Sequence, residues 1–291
     1  MSATCDNETV VTSGLDSTVT AERSRRPGGW HVWRVVASGI AFTQFMVSSL
    51  VFALFIFPPV RFFTRSNEEK GRRVRHLIQV MFTLFLKTWK CLGIMRPAKV
   101  AGLESLRSVG PCIIVANHPT LIDAVLMGTM VPDFNCVVKH ALRDHFFLGG
   151  TIRAAGYVSN DEPLQVIRLC GEGFRRGQSL VIFPEGSRSP KNGLRPFSRG
   201  AAQLALRSGV PLIPAVIRCD PPSLMKHQRW YDVPERPFEL SITFHPALVC
   251  DPVDMIHETL PVKARRYTGQ IEEFFRAELS RDRIPAPPET L

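Results

Sequence analysis

Several familiar signatures are missing from this 291-residue chain. It has no GxSxG elbow to present a serine nucleophile, no GxxxxGK[ST] loop to cradle a nucleotide phosphate and no HExxH helix to hold a catalytic metal. The glycines at Gly171, Gly173 and Gly177 miss the GxGxxG spacing and fall at an expected helix end. The 7 cysteines are odd in number, none is spaced as CxxC, and several lie inside apolar runs. That excludes a disulfide framework or a zinc site and fits reduced, mostly buried thiols in a cytosol-facing protein. No helix-turn-helix or zinc-finger pattern accompanies the formal charge of +10, so nucleic acid is not the expected partner. An anionic membrane or an anionic metabolite suits that charge instead.

Charge itself is missing from one long stretch. Residues 1–30 are rich in Ser and Thr, carry acids such as Asp6 and Asp16, and read as a disordered tail rather than a secretory signal. From Val35 to Val60 there is then no charged residue at all. A helix reaching Phe57 is about 35 Å long at roughly 1.5 Å per residue, enough for a hydrocarbon core of about 30 Å, and Pro58 and Pro59 are expected to end it. Arginines flank it on both sides, at Arg23, Arg25, Arg26 and Arg34 before it and at Arg61 and Arg65 after it. In the following segment His76, Gln79, Thr83, Lys87 and Lys90 draw one polar stripe on a widely apolar helix. That pattern suits a helix in the membrane interface, or an amphipathic helix on a globular core. Basic flanks at both ends favour keeping both on the cytoplasmic side, so residues 31–96 are expected to form a membrane-associated hairpin rather than a single clean span.

From Pro97 the pattern turns α/β, with strands expected at Lys99–Gly102, Cys112–Ala116, Asn135–Val138, Tyr157–Ser159, Leu180–Phe183, Leu212–Ile217 and Phe238–Phe244. Helical segments near Leu121–Met130, Pro163–Arg176 and Arg199–Ser208 alternate with them, which predicts a mixed, largely parallel sheet flanked by helices. A helix from about Val262 to Arg281 and a Pro-rich tail close the chain within residues 251–291.

Two His-x4-Asp pairs occur, His118 with Asp123 and His227 with Asp232. The second sits in PPSLMKHQRWYDVPERP, a Pro-rich basic stretch that reads as a surface loop. The first follows the buried strand CIIVA and precedes a helix, at the carboxyl end of a strand where open α/β sheets place their chemistry. There Asp123 can orient the imidazole, fix its tautomer and balance its charge. Because no protein nucleophile accompanies this base, the substrate is expected to supply the attacking hydroxyl. A second constellation follows the strand ending at Phe183: Glu185, Gly186 in a tight turn, the planar fork of Arg188, then Arg195 and Arg199, the last at a helix start that favours anions.

These residues in this order resemble the glycerolipid acyltransferase superfamily, whose familiar member is 1-acyl-glycerol-3-phosphate (lysophosphatidic acid) acyltransferase. The NHxxxxD block matches Asn117, His118 and Asp123; FPEGTRS matches Phe183 to Ser189 with Ser187 for Thr; the VPIxPV-type strand matches Val210 to Val216; and a Lys-x-x-Leu element matches Lys139 and Leu142. The resemblance covers about Lys99 to Phe244 and makes residues 97–250 the acyltransferase domain. It implies that His118 activates an acceptor hydroxyl that attacks the thioester of acyl-CoA or acyl-carrier protein. Asn117, Lys139, Glu185, Gly186, Arg188, Arg195 and Arg199 would serve substrate binding. Backbone N–H groups near the Gly186 turn or the Pro214 strand would steady the oxyanion. It further implies membrane lipids as substrates and products, no metal or other cofactor, and a place on the cytoplasmic face of a bacterial inner membrane. The second block departs: Gly156-Tyr157-Val158-Ser159 is followed by Asn160, where the family usually has an arginine associated with the acceptor phosphate. That departure leaves open another acceptor, such as a lyso-ornithine lipid or an aryl-polyene precursor, beside the different reading of a non-catalytic lipid-binding protein.

Overall fold

A computed structural model describes residues 29–160, 163–191, 193–249, 258–281 and 289–290. Most of the N-terminal tail, Cys5, Cys250 and most of the Pro-rich tail therefore lie outside the described residues. The helices are α1 (Gly29–Val51), α2 (Phe57–Phe63), α3 (Asn67–Cys91), α4 (Leu103–Arg107), α5 (Asp123–Met130), α6 (His140–Arg143), α7 (Gly149–Ala155), α8 (Pro163–Arg175), α9 (Gly200–Ser208) and α10 (Leu260–Ser280). The strands are β1 (Lys99–Ala101), β2 (Ile113–Ala116), β3 (Asn135–Val138), β4 (Val158–Ser159), β5 (Leu180–Ile182), β6 (Leu212–Asp220), β7 (Glu239–Phe244) and β8 (Glu289–Thr290).

All seven expected strands form, in one sheet of order β4-β3-β5-β2-β6-β7-β1-β8. Pairing is parallel from β4 to β6 and between β7 and β1, and antiparallel at β6–β7. Only β8 was not expected; it runs antiparallel along β1 where the sequence suggested an irregular tail. The central β2 is buried at all four positions because helices cover both faces of the sheet. Its side chains alternate accordingly: Ile114 and Ala116 enter the core shared with α1, α3, α5 and α7, whereas Ile113 and Val115 enter the core shared with α8, α9 and α10. The cysteines among the described residues are free thiols, and burial pushes those of Cys136, Cys170 and Cys219 up to about 12.

The N-terminal helices depart from expectation in one way and narrow it in another. Pro58 and Pro59 do not stop the first helix. A π-helical turn, Phe52–Ile56, precedes them, and the Phe57 N–H donates to the carbonyl of Phe52. The prolines thereby fall in the first turn of α2, where the fixed proline φ is compatible with a helix. The narrowing concerns α3, which meets the second of its two expected readings: its apolar face packs into the domain against α1, α5 and α7. Val74, Ile78, Met81, Phe82, Phe85, Leu86 and Trp89 recur at three- and four-residue steps and are buried, with Trp89 edge-on to Phe238 at 5.6 Å. At roughly 1.5–3 kcal/mol per large side chain this face contributes on the order of 10 kcal/mol before chain entropy is subtracted.

Packed antiparallel on α3 lies α1, with Phe42 against Phe85 and Trp89 and Phe45 against Phe82 and Phe85. Its docked face is made of small residues, Ala37, Ser38, Ala41 and Ser49, and the Ser49 hydroxyl meets that of Thr151 on α7 at 2.9 Å. Its other face is apolar and open: Val32, Val36, Ile40, Val47 and Val51 are all exposed, as are Leu54 and Phe55 in the π-helical turn that follows.

Candidate functional site

The site begins where β2 runs out. Asn117, the first residue past the strand, is 3% exposed, and its amide reaches across to β6. Its Oδ1 accepts the Ile217 N–H at 2.7 Å and its Nδ2 donates to the Ile217 carbonyl at 2.8 Å. This bidentate strut fixes the direction in which the chain leaves the sheet.

His118 follows. Five residues later α5 begins, and its first residue, Asp123, is fully buried. Asp123 Oδ2 accepts from His118 Nδ1 at 2.8 Å and from the Thr120 N–H at 2.7 Å, while Oδ1 accepts the Thr120 hydroxyl. A buried carboxylate is costly unless its oxygens are satisfied, and here three donors and the helix N-terminus satisfy it. With Nδ1 donating to Asp123, the second nitrogen, Nε2, is the basic one. The ring is 19% exposed and stacks on Phe183 at 4.4 Å with 29° between planes, so its orientation is held from two sides.

The loop after β5 supplies the floor. Glu185, 8% exposed, accepts the His118 N–H at 3.0 Å and the Ser189 hydroxyl at 2.7 Å on Oε1, and the Arg195 N–H at 3.0 Å on Oε2. The Ser189 N–H in turn donates to the His118 carbonyl at 2.7 Å. Gly186 takes φ +65°, the left-handed conformation that suits glycine, and its N–H closes the turn on the Phe183 carbonyl at 3.1 Å. Of the amides near the two places expected to steady an oxyanion, the Gly186 N–H is committed to this turn and Pro214 has none, which leaves their neighbours.

Arg188 donates through Nη1 to the carbonyls of Leu224 at 2.9 Å and Met225 at 3.0 Å. It thus straps the 221–235 loop over the site, where the Leu224 carbonyl also accepts the Leu121 N–H at 3.1 Å. Burial pulls the Arg188 pKa below the usual arginine value, with the Asp123 charge opposing. Arg195 Nε donates to the Arg188 carbonyl at 3.3 Å. Lys139 stands exposed past the end of β3, and Arg199 stands exposed at the start of α9. Asn160, in the position of the missing arginine, accepts the His140 N–H on Oδ1 at 3.2 Å.

The structure therefore brings together Asn117, His118, Asp123, Glu185, Gly186, Arg188 and Arg195, and leaves Lys139 and Arg199 on the surrounding surface. Phe183, Thr120, Ser189 and Leu224 also shape the site without having been singled out. Thr120 had a sequence signal: Thr-x-x-Asp ahead of an apolar run is a helix-capping pattern, and its N–H meets the acid three residues on. The loop carbonyls that receive Arg188 had none.

An open, largely parallel sheet with a carboxylate-held histidine past its central strand defines an α/β protein equipped for general-base chemistry. Residues 97–218 match the Acyltransferase family model, and this segment is similar in sequence to glycerolipid acyltransferases. It is 30% identical over 139 residues to the chloroplastic 1-acyl-sn-glycerol-3-phosphate acyltransferase BAT2 of Brassica napus, covering 45% of this chain and 40% of that protein. It is 33% identical over 155 residues to the human 1-acyl-sn-glycerol-3-phosphate acyltransferase beta, covering 50% of this chain and 54% of that one. The chain thus spans about half the length of these curated relatives, or less. The crystal structure of the 1-acyl-sn-glycerophosphate acyltransferase PlsC from Thermotoga maritima shares the fold, with a TM-score of 0.63 at 22% identity over 87% of this chain and 100% of that one.

Proposed function

We propose that the protein is a membrane-associated O-acyltransferase that moves a fatty acyl group from acyl-CoA or acyl-carrier protein to the free hydroxyl of 1-acyl-sn-glycerol-3-phosphate. The observation that carries this reading is the imidazole of His118, bound to buried Asp123 through Nδ1 and open at Nε2. The acceptor O–H gives its proton to Nε2 as the oxygen forms a bond to the thioester carbonyl carbon. Asp123 balances the imidazolium. The tetrahedral intermediate then collapses, the C–S bond breaks, and the imidazolium returns the proton to the departing sulfur. Asn117 and Glu185 act on this sequence indirectly, by holding the backbone on either side of the base. The names of the relatives support the acceptor.

Membrane association is supported by α1. The helical run Gly29–Phe63 is long and apolar enough to cross a bilayer by length and composition, yet its small-residue face is docked on α3 and α7. A helix held along one side by its own domain and apolar along the other lies in the interface more readily than it spans. Arginines at both ends then face the same, cytoplasmic, leaflet of a bacterial inner membrane.

A second reading keeps the chemistry and changes the acceptor. Asn160 supports it, because its side chain caps a backbone N–H where an arginine fork would meet a phosphate. One experiment separates the readings: membranes holding wild type or His118→Ala are given labelled acyl-CoA or acyl-carrier protein with lysophosphatidic acid or other lyso-lipids. Label in phosphatidic acid that depends on His118 is the expected result. Label only in another lyso-lipid product moves the assignment to the second reading, and no His118-dependent product with any pair removes the enzyme assignment.

A further inference from the structure

At the opposite end of the sheet from His118 lies a cavity of about 260 Å³. Asn135, Gly156 and Gln178, at or just before the starts of β3, β4 and β5, line it, so roughly 15 Å of strand separates it from the base at about 3.3 Å per residue. Five basic side chains reach it, Arg61, Lys70, Arg75, Arg153 and Arg176, against the single acid Glu172. Two of the five are neutralised: Arg75 by Asp133 at 2.6 Å, and Arg176 by Glu172 at 3.3 Å. The other three come from three different helices, α2, α3 and α7, and among the described residues no carboxylate pairs with them.

The floor is built rather than incidental. Arg75 is 6% exposed and also donates to the Ala155 carbonyl at 3.2 Å. Gly71, inside α3, makes room for it, since a Cβ there would stand 2.9 Å from the Arg75 guanidinium. A helix-interior glycine costs about 1 kcal/mol relative to alanine, so this opening runs against helix propensity. Next to Arg61 on the same helix, Phe62 and Phe63 are 83% and 79% exposed. Two bare aromatic rings beside a pocket of unpaired cations match the boundary between acyl chains and phosphates, whereas a pocket for a free metabolite has no use for them.

We propose that this cavity binds the phosphate-bearing headgroup of an anionic lipid, as a second lipid site apart from the catalytic one. The inference rests on the membrane-associated reading above and adds to it a specific docking point at the α2 end of the hairpin. Arg61, Lys70 and Arg153 provide the charge, and the Arg75 floor fixes its position.

The test is flotation of the full-length protein with phosphatidylcholine vesicles, with and without phosphatidic acid. Wild type, Arg61→Gln with Lys70→Gln, and a charge-matched control, Arg207→Gln with Arg265→Gln on α9 and α10, are compared. At about 1 kcal/mol per basic residue near an anionic surface, the cavity variant loses roughly 30-fold in binding to the phosphatidic acid vesicles. It keeps wild-type binding to the neutral ones, and the control keeps both. Retained enhancement in the cavity variant, or an equal loss in the control, overturns the proposal while leaving membrane association intact. Failure of wild type to float with either vesicle removes the membrane reading and this one with it. Inorganic phosphate titrated onto the detergent-solubilised protein separates the sources: saturable binding lost in the cavity variant, without any vesicle enhancement, makes the pocket a free-phosphate site and overturns the lipid assignment.

Discussion

His118–Asp123 and His227–Asp232 share one spacing and nothing else. In the first pair the histidine leaves the central strand, the carboxylate opens a helix, and Nδ1 and Oδ2 meet at 2.8 Å in a site that excludes water from the acid. In the second, His227 is exposed on the loop, and Asp232 accepts the Arg229 N–H at 2.7 Å instead. The i, i+5 interval carries no chemistry by itself. What converts it into a dyad is the strand-to-helix turn that reverses the chain, together with burial that makes the carboxylate's partners obligatory.

The largest test of that contrast is removal of each histidine. His118→Ala is expected to lower acyl transfer by about 10²–10⁴-fold, the usual worth of a general base, and His227→Ala to leave it unchanged. Equal losses would erase the distinction drawn between the two turns. Exchanging the acids sharpens it. Asp123→Asn keeps the shape but no longer enforces the Nδ1–H tautomer, for an expected loss on the order of 10³-fold in kcat, while Asp232→Asn leaves kcat at the wild-type value. Steady-state kinetics of the four variants, with circular dichroism to verify folding, checks both pairs.

The supports beneath the two turns differ as well. Asn117 closes both Ile217 backbone groups inside the core, so Asn117→Ala strands a buried donor and acceptor and is expected to destabilise the fold by about 2–4 kcal/mol. Gln228 plays a similar part in the 221–235 loop, accepting the Met225 N–H at 2.9 Å, but its side chain is only half-buried, so water can reach that site. Gln228→Ala is expected to cost less than about 1 kcal/mol. Urea denaturation midpoints read the difference, and a Gln228→Ala effect as large as that of Asn117→Ala would contradict the assignment of the loop as surface.

The same contrast explains what could be read from the residues alone. The strands from β1 to β7 were legible because continuous apolar runs such as IIVA occur where helices cover both faces, and the dyad was legible because it sits at the end of one of them. Periodicity shows that a helix has an apolar face, but not what covers it. It therefore left α3 open between the membrane interface and a globular core, and Phe82, Phe85 and Trp89 are buried in the domain. The distinguishing mark lay in α1, whose fully buried positions are the narrow series Ala37, Ser38, Ala41 and Ser49 and whose Val32, Val36, Ile40 and Val47 are exposed. The roles of Glu185 and Arg188 as backbone struts were not legible, because their partners are amides and carbonyls that any sequence supplies.

A third histidine gives the smallest and most direct check on how burial treats an imidazole without a carboxylate. The ring of His245 sits edge-on to Phe274 at 5.0 Å, and its Nε2 is buried without a hydrogen-bond partner. Burial lowers its pKa from 6.5; Glu278 opposes the shift, while Arg218 and Arg281 add to it. Between the folded pKa and 6.5 the unfolded chain binds more protons than the folded one, so stability rises with pH through that window and falls on acidification below 6.5. His245→Phe removes this titration and keeps an aromatic ring against Phe274. The variant is therefore expected to lose less in Tm than wild type between neutral and mildly acidic buffer, with carboxylate contributions common to both. Identical acid sensitivity in the two proteins would show that the His245 ring reaches solvent and protonates as freely in the fold as outside it.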